Sequence, residues 1–400
     1  MHASLSRRRG GAVAGTGLGV AVVVAALVVV ALAVGATRAV AAGAPAATAA
    51  APHGVNVPAP GSVVVVRRAA GRDSLWSVDP VSKAATELVT LPFRAARVAA
   101  SPGAVRLAYL SMAAGPRVYV YDTRTGVLQA RSLAARGVKV VDSVAWVSST
   151  RLVVAGKPTR GYAFYPFADR LYSLDVATGV VKRLGSLLGT EPTVAPGAAL
   201  AWVRLSDGGP VAGGTPLRWV VERLYRLGHG AAKTKLIGSV KYPNGFDIRR
   251  FRDPRLSHDG KYLITSTTGS DISVRYTVRS ASTGKALRTV LTTLAGRDAT
   301  AWSTLSEQVA FWQMPPADSV TTTRLAIFNA TARALRSSAK LSQVAVTGLA
   351  WSYDDGLLAY SLRGPQAADD VAELWTADPA TLASQTDLGA GSLPAFLPGS

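Results

Sequence analysis

An all-β fold, a seven-bladed β-propeller of four-stranded antiparallel blades preceded by one N-terminal transmembrane helix, is what this 400-residue sequence predicts. Three observations carry the prediction. A strand pattern returns seven times at a spacing of about fifty residues, the period of propeller blades. The two ends of the repeat region read as complementary parts of one unit. An uncharged apolar run follows three arginines near the N-terminus.

The N-terminal run comes first in the chain. Arg7, Arg8 and Arg9 precede residues 12–34, which contain no charge and consist mostly of Val, Ala, Leu and Gly. A bilayer-spanning helix needs about 20 apolar residues, so this segment is long enough to span, and the arginines place residues 1–11 in the cytoplasm and the remainder outside. A cleaved signal is the alternative, because Ala39-Val40-Ala41 has the small-x-small form of a signal-peptidase site. Both readings export the rest of the chain. Residues 35–61 are rich in Ala, Pro and Gly and carry too little apolar bulk to offset ordering, so they read as a tether.

Residues 62–400 hold the repeat. Its third strands end in Leu75-Trp-Ser-Val-Asp79, Val118-Tyr-Val-Tyr-Asp122, Leu171-Tyr-Ser-Leu-Asp175, Leu224-Tyr-Arg-Leu-Gly228, Tyr276-Thr-Val-Arg-Ser280, Leu325-Ala-Ile-Phe-Asn329 and Leu374-Trp-Thr-Ala-Asp378, at steps of 43, 53, 53, 52, 49 and 49 residues. Turns of the form Asp-x-x-Thr-Gly follow several of them, since Asp caps its own turn and Gly tolerates positive φ. First strands end in Trp146, Trp302 and Trp351, with Ala100 at the same position. These indoles read as packing between blades, where large aromatic area is worth most. Ser257-His258-Asp259-Gly260 and Ser352-Tyr353-Asp354-Asp355-Gly356 resemble the Trp-Ser-Pro-Asp-Gly repeat of TolB-type, WD40-like propellers. That resemblance implies the fold. It implies no single activity, because such propellers serve as scaffolds, peptidase gating domains and enzymes alike.

Residues 393–397 match a first strand and residues 62–67 a second strand. The sequence therefore predicts that both termini complete blade one, leaving no open sheet edge.

Catalytic chemistry finds little material. There is no cysteine, and the four histidines, His2, His53, His229 and His258, show no paired ligand spacing. No nucleophile elbow or phosphate-binding loop occurs. Convergent histidines and carboxylates are not expected on the innermost strands. Asp354-Asp355 and Asp369-Asp370 with Glu373 read as solvated turns rather than calcium ligands. No enzymatic activity, cofactor or metal is expected.

Binding is expected where connections are long. The loop joining strands two and three of blade three, the equivalent loop of blade four and the connection into blade five belong to neighbouring blades. They carry Arg160, Tyr162, Phe164, Tyr165, Phe167, Tyr242, Phe246, Arg249, Arg250, Phe251 and Arg252. Tyr, Phe and Arg are the composition of interaction hot spots, so a protein partner in the cell envelope is the first expectation. The other account of these rings is that the loops fold back and bury them. The 44 Lys and Arg against 24 Asp and Glu, a net charge of +20, leave a wall polymer or other polyanion as the alternative partner. A propeller enzyme of lactonase or dehydrogenase type is the third reading. Nucleic acid is disfavoured by compartment, and a monomer is expected.

Overall fold

The computed structural model describes residues 56–69, 71–158, 169–195, 199–210, 218–228, 234–243, 251–268, 273–293, 300–313, 322–338, 341–342, 345–363, 372–382 and 385–399. Seven antiparallel sheets follow one another, each with its strands hydrogen-bonded in chain order except the first. The third strands are Arg72–Val78, Arg117–Asp122, Arg170–Asp175, Arg218–Gly228, Ser273–Ser280, Thr322–Asn329 and Glu373–Ala377, so all seven predicted anchors fall on them. Blade six carries one additional short strand, Leu341–Ser342, against its third strand. The predicted transmembrane segment lies outside the described residues. Among the described residues no helix is long and apolar enough to cross a membrane.

Blade one is closed by both ends of the ring. Ser392–Phe396 runs antiparallel to Val63–Ala69, with Phe396 opposite Val63 and Ala395 opposite Val64. Gly61 N donates to Pro398 O at 2.8 Å, and Leu397 N to Ser62 O at 3.0 Å. Four consecutive valines, Val63 to Val66, are almost fully buried there because this strand has a blade on either side. The Tyr353 hydroxyl from blade seven reaches past the seam to donate to Ser101 O of blade two at 3.3 Å.

The apolar cores lie between blades. Leu75 and Val64 of blade one pack with Leu107 and Tyr109 of blade two, and Trp312 and Leu325 of blade six with Trp351 and Tyr360 of blade seven. Alternation along a strand sends successive side chains to opposite neighbours, so each blade contributes to two cores. The indoles add a repeated hydrogen bond: Trp146 Nε1 donates to Ala99 O (2.8 Å), Trp302 Nε1 to Arg255 O (2.7 Å) and Trp351 Nε1 to Ala301 O (2.9 Å). Each acceptor belongs to the innermost strand of the preceding blade.

The turn chemistry follows the residues. Asp79 Oδ1 accepts from Val81 N and Ser82 N, and Asp122 and Asp175 do the same two and three residues ahead. The N–H groups of Ser82 and Val81 hold the Asp79 carboxyl below the usual carboxylate range. Gly126 closes its turn at φ 67°, in the left-handed region that Gly enters without steric cost.

Candidate functional site

The two faces of the ring are unequal. Turns from first to second strands and from third to fourth strands occupy one face and are short, as at residues 101–105 and 122–127. In an antiparallel blade the remaining connections must all emerge on the other face. There the strands ending at Lys157, Pro210 and Pro243 lead into the predicted binding segments.

Arg160, Tyr162, Phe164, Tyr165, Phe167, Phe246, Arg249 and Arg250 lie outside the described residues. Tyr242 sits on the outer strand of blade four opposite Val220, and Arg252 opens the innermost strand of blade five opposite Ser266. Phe251 corrects the expectation of an exposed ring. It is 5% exposed and packs with Leu224, Ile237, Leu256 and Leu263 in the core between blades four and five. Gly238 makes the slot, since a Cβ there would stand 2.7 Å from the ring. Phe251 N donates to Glu222 Oε1 at 3.3 Å, and the Arg279 guanidinium lies 5.5 Å from the ring centre. Phe251 thus belongs to the core of blade five, which the sequence pattern of alternating rings and arginines did not reveal.

The innermost strands bring together a polar cluster that sequence reasoning missed, correcting the expectation that they carry no convergent carboxylates. Arg97, Asp142, Ser143, Thr190, Glu191 and Asp253 come from four successive blades and lie near the start of each first strand, hence on the long-connection face. Arg97 Nη2 is 3.8 Å from Asp253 Oδ1 across two intervening blades. Asp253 N donates to Glu191 Oε2 at 3.0 Å, and Glu191 N to Ser143 Oγ at 2.9 Å. Lys157 Nζ lies 3.0 Å from Asp142 Oδ1, and the Thr190 hydroxyl donates to Asp142 Oδ2. Burial alone would raise the Asp142 carboxyl, but Lys157 and Thr190 together hold it below its usual range.

Each of these strands is bulged at this point, and the bulge carries unusual backbone. Glu191 (φ 52°) and Asp253 (φ 45°) occupy the left-handed region without being glycine, as does Leu393 (φ 51°) on blade one. Non-glycine residues held there cost of order 1–3 kcal/mol each and cluster at functional sites. The signal in the sequence was a charged residue three or four positions before the Trp351-equivalent site of the first strand.

A cavity of about 550 Å³ follows the channel axis, lined by all seven innermost strands. The polar cluster stands at one end, while Tyr353, Leu305 and His258 stand at the other. Asp354 and Asp355 are occupied by protein donors. Asp354 Oδ1 accepts from Ser352 Oγ (2.6 Å) and Gly356 N (3.0 Å), and Asp355 accepts from Ser303 Oγ and Thr304 N of blade six. Among the described residues no group of three or more His, Asp or Glu side chains is arranged to hold a metal ion.

No family model and no curated protein sequence matches the chain. Among solved structures it is similar to an oligogalacturonate lyase in complex with manganese, with TM-score 0.52 at 14% identity, covering 83% of this chain and 86% of that one. It is also similar to the β-propeller domain of the Trilobed protease from Pyrococcus furiosus, with TM-score 0.50 at 12% identity, covering 85% and 96%. That domain has an open velcro topology, whereas here the last strand pairs with the first. TolB from Acinetobacter baumannii is a further neighbour, at TM-score 0.42 and 14% identity over 84% and 82%. The first two likenesses and the seven sheets show the fold, and the chain is a seven-bladed β-propeller with TolB and other propellers among its structural neighbours.

Proposed function

We propose that this chain is a non-enzymatic binding or scaffold propeller, tethered to the cytoplasmic membrane through residues 12–34 and facing the extracytoplasmic side, where it engages an envelope protein on its long-connection face. The observation that carries this reading is the coincidence of two features on one face. The strands leading into the aromatic and arginine-rich segments of blades three to five and the strained polar cluster of the channel open at the same end of the ring. A rigid scaffold presenting long connections from one face is the usual geometry of a binding module.

The cluster's own groups are engaged with one another, as expected of an element that shapes and charges a mouth. Substitution tests the reading. Replacing Tyr162, Phe164 and Tyr165 by Ala is expected to weaken the complex by about 2 kcal/mol or more with an unchanged melting temperature. Retained affinity, or a fall in stability of many degrees, would count against it. Protease added outside intact cells should digest the ring, and a mature mass beginning at Ala42 would replace the tether by a cleaved signal.

One observation favours a second reading. Glu191 and Asp253 converge on the channel, which is where a propeller enzyme would work. In that case Glu191→Gln would abolish turnover of a channel ligand without loss of its binding, while in the first reading the substitution alters binding alone.

A further inference from the structure

The end of the channel that holds the polar cluster is built in two layers. Arg97, Ser143, Glu191 and Asp253 line it, and each is followed in its strand by an apolar residue, Val98, Val144, Pro192 and Pro254. Leu349 of blade seven and Pro394 of blade one continue this apolar collar. Pro192, Pro254 and Pro394 have no N–H to offer, which lowers the polarity of the wall further.

Beside the collar, opposite charges meet across the channel. Arg97 belongs to blade two and Asp253 to blade five, which are not neighbours, and Arg97 Nη2 stands 3.8 Å from Asp253 Oδ1. At that separation the charges attract without a hydrogen bond between these two atoms. Asp253 is the anchored member: its N–H donates to Glu191 Oε2, and Glu191 N donates in turn to Ser143 Oγ. Arg97 is the accessible member, its side chain 36% exposed against 10% for Asp253.

This pair selects among ligands. A ligand with a single charge separates the two residues and gives a new partner to only one of them, and parting a buried charge from its partner is costly. A ligand with both charges on one carbon gives each residue a new partner, with charge-assisted hydrogen bonds in place of the long contact. The cavity of about 550 Å³ is the size of a small-molecule site.

We propose that the channel is a binding site for an apolar α-amino acid, with its carboxylate on Arg97, its ammonium on Asp253 and its side chain against the collar of Val98, Val144 and Leu349. This site lies inside the ring and does not rest on protein contact at the long-connection face. It holds whether or not the ring turns the ligand over, so failure of either reading of the function leaves it standing.

The test titrates the 400-residue chain, in non-ionic detergent, with L-leucine by calorimetry. Two analogues are titrated beside it: 4-methylpentanoate, which lacks the ammonium, and 3-methylbutylamine, which lacks the carboxylate. L-leucine is expected to bind at least about tenfold more tightly than either analogue, because each of them leaves one member of the pair without a replacement partner. Arg97→Gln and Asp253→Asn should each weaken L-leucine by at least about tenfold. Asn tolerates the positive φ that residue 253 adopts, so the second variant keeps its backbone. The analogues separate recognition from a structural effect: 3-methylbutylamine should keep most of its affinity in Arg97→Gln, and 4-methylpentanoate in Asp253→Asn, since each variant removes only the partner that analogue does not use. Where a variant melts early, the comparison of the three ligands on the unaltered chain decides. No binding of L-leucine, equal affinity for the three ligands, or equal weakening of all three in both variants overturns the proposal.

Discussion

The indole of Trp351 on blade seven donates its Nε1–H to the carbonyl of Ala301 on blade six at 2.9 Å, and the same bond joins Trp302 to Arg255 and Trp146 to Ala99. Innermost strands converge on the channel and have free edges there, so their carbonyls need donors from elsewhere. A Trp at the end of the strand supplies one while its ring fills the wedge between blades. Trp351→Phe should preserve most of the packing but leave Ala301 O without its partner, a cost of about 1–3 kcal/mol. Trp351→Ala should cost about 3–5 kcal/mol. Urea unfolding of the two variants measures both, and an unchanged stability of Trp351→Phe would mean that the hydrogen bond contributes nothing.

Phe251 supplies the contrast between core and loop. As a buried ring over Gly238, it should lose about 3–5 kcal/mol of stability on replacement by Ala. Gly238→Ala should destabilise too, because its Cβ would meet the same ring at 2.7 Å. Melting curves check both. An unshifted midpoint in Phe251→Ala would return that residue to the surface.

Closure by the two termini makes a further prediction. Removing residues 392–400 takes away the partner of Val63–Ala69, along with the bonds from Gly61 to Pro398 and from Leu397 to Ser62. The exposed inner edge and the uncovered valines should cause aggregation or a broadened, non-cooperative transition, visible by light scattering and calorimetry. A truncated chain that melts as sharply as the intact one would contradict the closure.

Buried phenols set the alkaline limit. Burial pushes the Tyr353 and Tyr121 hydroxyls up to about 12, from an ordinary value of 10.0. Between these values the unfolded chain releases protons that the folded chain retains, so stability should be full below pH 10 and fall as pH rises toward 12. Urea midpoints measured across that range should decline. Tyr353→Phe should lessen the decline, at the expense of the bond to Ser101 at lower pH.

The repeat was legible because strand alternation and turn chemistry are local. Leu75, Val118 and Leu171 with the Asp that follows each one mark third strands without any knowledge of their neighbours, and the split terminal unit follows from counting. The polar cluster was not legible in the same way. Arg97, Glu191 and Asp253 are separated by tens of residues in sequence and meet only because innermost strands converge, and the positive φ angles of Glu191 and Asp253 come from bulges that no propensity scale records. Phe251 was misplaced for a related reason, since its burial depends on the absent side chain of Gly238 on another strand. The buried Asp73 was likewise invisible. Its carboxylate receives Arg68 at 2.8 Å and Ala95 N at 2.7 Å, clamping blade one to blade two.

Whether the long-connection face is where this propeller meets its partner is tested most directly by site-specific photo-crosslinking of the 400-residue chain produced in its own cells. A photoreactive residue is placed at Tyr162 or Arg250 on that face, or at Lys83 or Arg124 on the short-turn face. The account predicts a discrete crosslinked species from Tyr162 and Arg250 and none from Lys83 or Arg124. A crosslinked partner from the short-turn positions alone, or the same products from both faces, would contradict it.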